Sequence, residues 1–143
     1  MEYIITSACL LGLGCRYDGA EKTDQKVVEL LDREDVVLIP LCPEQLGGMT
    51  TPREPSERNS NKVYNKKGED VTKNFEEGAR QVLKIAKLYG CTQAILKERS
   101  PSCGCGKIYD GSFTKTLIHG DGVTAELLKK NGIKVVGESR LHE

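Results

Sequence analysis

The 143-residue sequence has no tryptophan, only two phenylalanines and five tyrosines, too few aromatics for a surface that stacks successive bases of a nucleic acid strand. Neither sign of charge is in excess, since Lys+Arg 21 balance Asp+Glu 21. The broad positive field that phosphate backbones require is therefore missing, and nucleic acid is not an expected partner. No apolar stretch approaches the roughly 20 residues of a bilayer-crossing helix, and the first ten residues run straight into a strand pattern rather than a leader. The expectation is a cytoplasmic protein with no membrane partner. Imidazole is scarce: His119 and His142 are the only two, and neither stands beside a cysteine or at the end of an apolar run. A Cys–His nucleophilic pair is thus poorly supported, and His119 is expected in a surface or structural place, with an acid or base role at a site as its alternative. C-x-x-C, the knuckle of structural zinc sites, does not occur.

What the sequence does have is cysteine. Six thiols are many for a reducing compartment, where such residues serve as metal ligands, redox groups, nucleophiles or small buried hydrophobes rather than disulfides. Their placement is orderly. Val36–Leu41 is an apolar run rich in β-branched residues that stops at Cys42, Pro43 and Glu44 and is followed by Gly47 and Gly48, the pattern of a buried strand ending in a turn. Tyr3–Ala8 runs into Cys9 in the same way, and Thr92–Lys97 runs into the loop from Ser100 to Gly106 that carries Cys103 and Cys105.

Helical periodicity fills the gaps between these runs. Val27, Leu30 and Leu31 mark a short helix within Lys22–Arg33, and Phe75, Ala79, Val82, Leu83, Ile85, Ala86 and Leu88 mark a long one from Lys73 to Tyr89. Thr72 is its expected N-cap and Gly90 its stop. Gly120–Gly122 opens a last helix with Val123, Leu127 and Leu128 inward, Gly132 ends it, and Ile133–Val136 forms a fourth strand. Val63–Asp70 reads as a small turn or hairpin, Ile108–Phe113 as turn-rich, and Cys91 as a core residue. The alternation predicts one α/β domain over residues 1–143, a three-layer Rossmann-like fold with a four-stranded, mainly parallel sheet in the order 2-1-3-4. That order sets the strands ending at Cys42, Cys9 and the Cys103 loop side by side. Ligands bind in the crevice at such strand ends.

Soft sulfur donors gathered there suit zinc or an iron-sulfur cluster. Glu44 is the neighbouring candidate for general acid–base work, with a helix cap or a pair with Arg53 as its alternative roles. The glycine-broken loop after Cys9 brings Cys15, Arg16 and Asp18 close; the latter two either approach a ligand or pair with each other. Arg53, in the polar, proline-punctuated stretch 49–58, either grips an acidic or carbonyl-bearing ligand or makes surface contacts.

Several separated pieces together resemble the thiouracil desulfidase family: Ser7–Gly12, Cys15–Gly19, Cys42–Glu44, Gly47–Gly48, Pro52–Arg53 and Ser100–Gly104, followed by Asp70–Thr72, Tyr109–Gly111 and Gly120–Val123. The resemblance implies a 4Fe-4S cluster held by only three cysteines, Cys9, Cys42 and Cys103, with one iron not bound by protein. It implies a small thiolated nucleobase, such as 2- or 4-thiouracil, as substrate, its sulfur taken by the open iron. Glu44 then activates water, Ser100 aids proton transfer or orientation, and uracil and sulfide result without net redox change. Arg16, Asp18, Arg53 and Ser102 stand as substrate-binding candidates. Cys15 belongs to the matched pattern and is the rival third ligand, whereas Cys105 lies outside it. Two other readings are a zinc-binding or metal-sensing module without catalysis, and a thiol hydrolase with a cysteine nucleophile.

Overall fold

The computed structural model describes residues 1–143. The first strand, β1 (Glu2–Ser7), gives way to a 3-10 turn over Ala8–Leu11, and the chain returns through α1 (Gln25–Glu29) to β2 (Val36–Leu41). Helix α1 is shorter than the expected Lys22–Arg33. The Asp24 carboxylate caps it by accepting from the N–H groups of Lys26 and Val27, and the chain tightens into 3-10 geometry at Leu30–Asp32. Leu31 ends up exposed and only Val27 is fully buried.

After β2 come α2 (Pro43–Leu46), an antiparallel ribbon of β3 (Ser56–Asn59) and β4 (Lys62–Asn65), and the long α3 (Thr72–Tyr89). The expected turn within 63–70 is present, closed by hydrogen bonds from Asn65 N–H to the Glu69 carbonyl and from Gly68 N–H to the Asn65 carbonyl, with Tyr64 bridging Asp70. The β3–β4 ribbon, turning at Ser60–Asn61, precedes it. Thr72 is not the cap of α3 but its first residue. Its hydroxyl is buried and accepts from Val63 N–H, while Asp70 accepts from Thr72 N–H at 2.9 Å. Phe75, Ala79, Val82 and Ala86 form the buried stripe of α3, and Leu88 lies on the solvent side. Helix α3 stops at Gly90, whose φ is 66°.

The chain then forms β5 (Gln93–Leu96), a second ribbon of β6 (Lys107–Tyr109) and β7 (Leu117–His119), α4 (Val123–Lys130) and β8 (Lys134–Gly137), and it finishes in a 3-10 segment, Glu138–His142. Sequence reading found only turns where the second ribbon lies. Its strands are three residues long, and β7 is exposed along its whole length.

Strands β1, β2, β5 and β8 make one parallel sheet in the order β2-β1-β5-β8. Counting only these four in chain order, that is the expected 2-1-3-4. Alternation along β1 sends Ile5 to one face and Ile4 to the other. Ile5 joins Val82, Ala86, Ala125 and Leu128 of α3 and α4, and Ile4 joins Val27, Leu10 and Leu38 on the side of α1. Helices thus cover both faces, as the three-layer expectation requires. No helix is long and apolar enough to cross a membrane.

Candidate active site and metal centre

Three connections leave the carboxyl ends of adjacent strands, and each is fixed by local packing. Pro43 opens α2 directly after Cys42, its preset φ and missing N–H suiting a first helical position. Helix α2 then lies almost backbone to backbone on α3. A Cβ on Gly47 would fall 2.0 Å from the Asn74 carbonyl oxygen, and one on Gly78 would fall 2.0 Å from the Pro43 carbonyl oxygen. The close approach permitted by these two glycines holds the Cys42–Glu44 turn in place.

The loop after β5 is clamped by the start of α4. Carbonyls of Gly104, Pro101 and Ser102 accept from the N–H groups of Gly122, Val123 and Thr124 at 2.8–2.9 Å, satisfying donors that a helix N-terminus leaves free. Ser102 and Thr124 add a hydroxyl–hydroxyl bond of 2.8 Å in a fully buried position. Cys9 sits in the 3-10 turn after β1, its carbonyl accepting from Lys22 N–H at 2.9 Å.

These connections enclose a cavity of about 460 Å³ at the carboxyl edge of the sheet, where Cys9, Cys15, Cys42, Cys103, Glu44, Arg53, Ser100, Ser102 and Arg16 all reach its wall. Cys15 faces both Cys9 and Cys42. The Cys42 thiol lies 3.6 Å from the Cys15 carbonyl oxygen. Cys15, Cys42 and Cys103 are displaced in a common direction, upward. The Cys15 neighbour, then burial, drive Cys42 far above the usual thiol range, and burial pushes Cys103 up to about 12, with hydrogen bonds from Ser7 and Ser102 opposing. Cys42 lowers Cys15, but Cys9 and burial together raise it further.

Glu44 and Arg53 form a pair that is nearly closed to solvent, with side chains 15% and 5% exposed. Arg53 Nε and Nη2 both donate to Glu44 Oε2, the first at 2.8 Å. The remaining donors go to the carbonyls of Thr50 and Cys15 and to the Thr51 hydroxyl. A guanidinium has five N–H groups, and all five are engaged inside the protein. Arg53 is therefore a strut between Glu44 and the Cys15 loop, with no donor left for a ligand. Glu44 Oε1 keeps its place on the cavity without a protein partner. Ser100 Oγ accepts from the N–H groups of Ser102 and Cys103 at 3.1 and 3.0 Å. Both lone pairs are used, so its own O–H is left to donate toward the cavity.

Residues 4–140 match the family model described as 2-thiouracil desulfurase. The chain belongs to the 2-thiouracil desulfurase family. It is 43% identical to the uncharacterized protein YbbK of Bacillus subtilis (strain 168) over 150 residues, spanning 98% of each chain. Among solved structures it is similar to the 4Fe-4S-dependent thiouracil desulfidase TudS, at 43% identity and a TM-score of 0.93, over 99% of this chain and 94% of that one.

For this member of the 2-thiouracil desulfurase family, the structure brings all but one of the expected site residues together. Asp18 lies outside the cavity, exposed, with its carboxylate accepting from Ala20 N–H at 2.9 Å. It does not pair with Arg16, which instead lies over the Tyr17 ring at 5.7 Å. Ser102 reaches the cavity wall, but its hydroxyl is bonded to Thr124. Cys105 is outside the cavity and donates to the Val135 carbonyl at 3.4 Å, and Cys91 is in the core as expected. Neither histidine lines the cavity.

Sequence reasoning missed the opposite wall, formed by Ser56, Glu57, Lys66, Tyr109, Phe113 and Lys115 from the two ribbons. The only sequence signal for it was the length and irregularity of the 49–62 excursion. Cations also outnumber carboxylates around the cavity, with Arg16, Lys22, Lys66, Lys97, Arg99 and Lys115 against Glu57 and Glu98 beyond the Glu44–Arg53 pair. They supply counter-charge above the gathered thiols.

Proposed function

We propose that this protein removes sulfur from a small thiolated nucleobase by hydrolysis, without net redox change, at a 4Fe-4S cluster held by Cys9, Cys42 and Cys103 with one iron not bound by protein. The observation that carries this reading is the convergence of three strand-end thiols, the Glu44–Arg53 pair and Ser100 on one cavity, in a chain of the 2-thiouracil desulfurase family.

The donor set fits the cluster. Thiols that burial helps hold toward the protonated form need cations among them before they ionise, and a metal centre supplies those cations. No three His, Cys, Asp or Glu side chains converge on one point as a lone ion would require. That arrangement disfavours the single-zinc reading, whereas a cluster takes one thiolate per iron around a larger body. A cysteine nucleophile is also disfavoured, because it must be a thiolate and no imidazole lines the cavity to make it one.

When bound, the cluster supplies a Lewis-acidic iron for the thiocarbonyl sulfur. Glu44 Oε1 holds a water molecule against the thiolated ring carbon and takes its proton, while Arg53 fixes the carboxylate through Oε2. Ser100 donates its O–H to the polar edge of the ring as charge develops there. The water oxygen ends on the ring carbon, the carbon–sulfur bond breaks, and sulfur leaves as sulfide.

The test is anaerobic reconstitution with iron and acid-labile sulfide counts, followed by sulfide and uracil quantitation from 2- and 4-thiouracil. A cluster count near four irons per chain with stoichiometric sulfide and uracil is expected. A full cluster that releases no sulfide from any thiocarbonyl base would overturn the reaction.

A further inference from the structure

The wall opposite the cysteines has a design of its own. Of the two phenylalanines and five tyrosines in this aromatic-poor chain, Tyr17, Tyr109 and Phe113 line the cavity. Tyr17 is already covered by Arg16, and Tyr109 is held in β6 opposite Leu117. Phe113 is different. It is half-buried at the tip of the second ribbon, with a left-handed φ of 59° that a bulky side chain adopts only when its surroundings impose it.

What imposes it is Glu57 of β3, whose Oε1 accepts from the N–H groups of Gly111 and Phe113 at 3.0 and 3.1 Å. The ribbons therefore set one apolar side chain on the cavity wall, fastened by a single carboxylate.

We infer that Phe113 forms the ring-recognition subsite of this cavity. Phe113 covers the face of a planar heteroaromatic ligand, and Glu57 is the positioning residue that registers the two ribbons. The inference rests on the proposed desulfidase reading for its substrate, but it concerns the recognition of the ring rather than the removal of sulfur. Offset stacking on an aromatic face discriminates a flat ring from an acyclic thioamide.

The reconstituted protein and its Phe113→Leu, Phe113→Tyr, Glu57→Ala and Glu57→Gln variants are compared with thiouracil and with thioacetamide. Phe113→Leu and Glu57→Ala are expected to raise KM for thiouracil about tenfold, with kcat and the thioacetamide reaction unchanged. Phe113→Tyr keeps the ring and Glu57→Gln keeps the accepting oxygen, so both should behave as the parent. Equal losses for the ring and acyclic substrates would overturn the subsite.

Calorimetric titration of the same proteins with uracil reads binding without turnover and separates this inference from the reaction itself. A tenfold weaker Kd in Phe113→Leu supports the subsite even in a protein that releases no sulfide. An unchanged Kd, or no uracil binding by the parent, overturns it.

Discussion

The two walls of the cavity are built by opposite means. The cysteine wall hangs from the central sheet. Its loops leave the ends of β1, β2 and β5, and glycine contacts and helix-terminal hydrogen bonds lock them to α3 and α4. The ribbon wall has no share in that sheet. It consists of two short antiparallel pairs joined to each other and to α4 by polar side chains, with Glu57 reaching Gly111 and Phe113, and Arg58 reaching the Asp121 carbonyl and Glu126. A reactive centre needs donors held to fractions of an ångström, which regular elements supply. A surface that selects among ligands tolerates, and benefits from, placement on loops that vary without disturbing the core.

The contrast breaks first if the sheet wall is not the seat of the chemistry. Replacing Cys9, Cys42 or Cys103 by Ser should abolish sulfide release and leave substoichiometric iron, whereas Cys105→Ser, whose thiol lies outside the cavity, should leave both unchanged. Anaerobic absorption spectra and iron counts check this, and a Cys105→Ser protein without its cluster would reverse the assignment.

The pH dependence carries a definite sign. The Cys103 thiol ionises near 9.0 when exposed and at about 12 when buried, so it stabilises the cluster-free fold fully below 9.0 and loses that contribution as pH rises toward 12. Cluster uptake runs the other way, since thiols must release protons to bind iron, and it should strengthen with rising pH. Denaturation of cluster-free protein and iron-binding titrations across the alkaline range would show the two opposing trends.

Glu44→Gln comes next. It should reduce kcat by about 10²–10⁴ while the iron count stays at the parent value, because an amide can still accept from Arg53 but cannot take a proton from water. Arg53→Met is expected to cost about 3–5 kcal/mol of stability, the penalty for leaving one partner of a buried ion pair uncompensated, and to lower kcat through the released carboxylate. Arg53→Lys should restore charge but not rate, since an ammonium cannot replace a planar fork that serves two oxygens of the Cys15 loop and Thr50 together with Glu44. Chemical denaturation alongside steady-state kinetics separates the two effects.

How readily each wall could be foreseen follows from the same difference. Cys9, Cys42 and Cys103 were legible because two of them end apolar runs and the third lies in the loop that follows one, and crossover handedness puts such ends on one edge. The helices were legible where burial repeats at 3.6 residues, as along Phe75–Ala86. They were misjudged where a side chain competes for the terminus, as Asp24 and Asp70 do.

Arg53 could be paired with Glu44 from the sequence. Its saturation could not, since that depends on where the Thr50 and Cys15 carbonyls lie. The ribbon wall left almost no trace. Strands of three or four residues with at most one buried apolar side chain apiece are too short to show a hydrophobic pattern, and the hydrogen bond that places Phe113 is accepted by a glutamate 56 positions earlier.

The smallest expected effect lies beyond both walls. Asp24 caps α1 and also meets His142 of the C-terminal segment, at 2.9 Å. Asp24→Ala removes the cap and the pair together and should cost about 1 kcal/mol, the usual worth of an N-cap carboxylate. His142→Ala removes only an exposed pair, of which about 0–1 kcal/mol is expected. Both should leave kcat, KM and iron content at parent values, because α1 reaches the cavity only through the hydrophobic layer of Val27 beneath Cys9 and Cys15. If loss of the Asp24 cap instead shifted the iron count, the cysteine wall would depend on the outer helix layer as well as on strand ends, and its rigidity would have to be traced through α1 rather than through α3 and α4 alone.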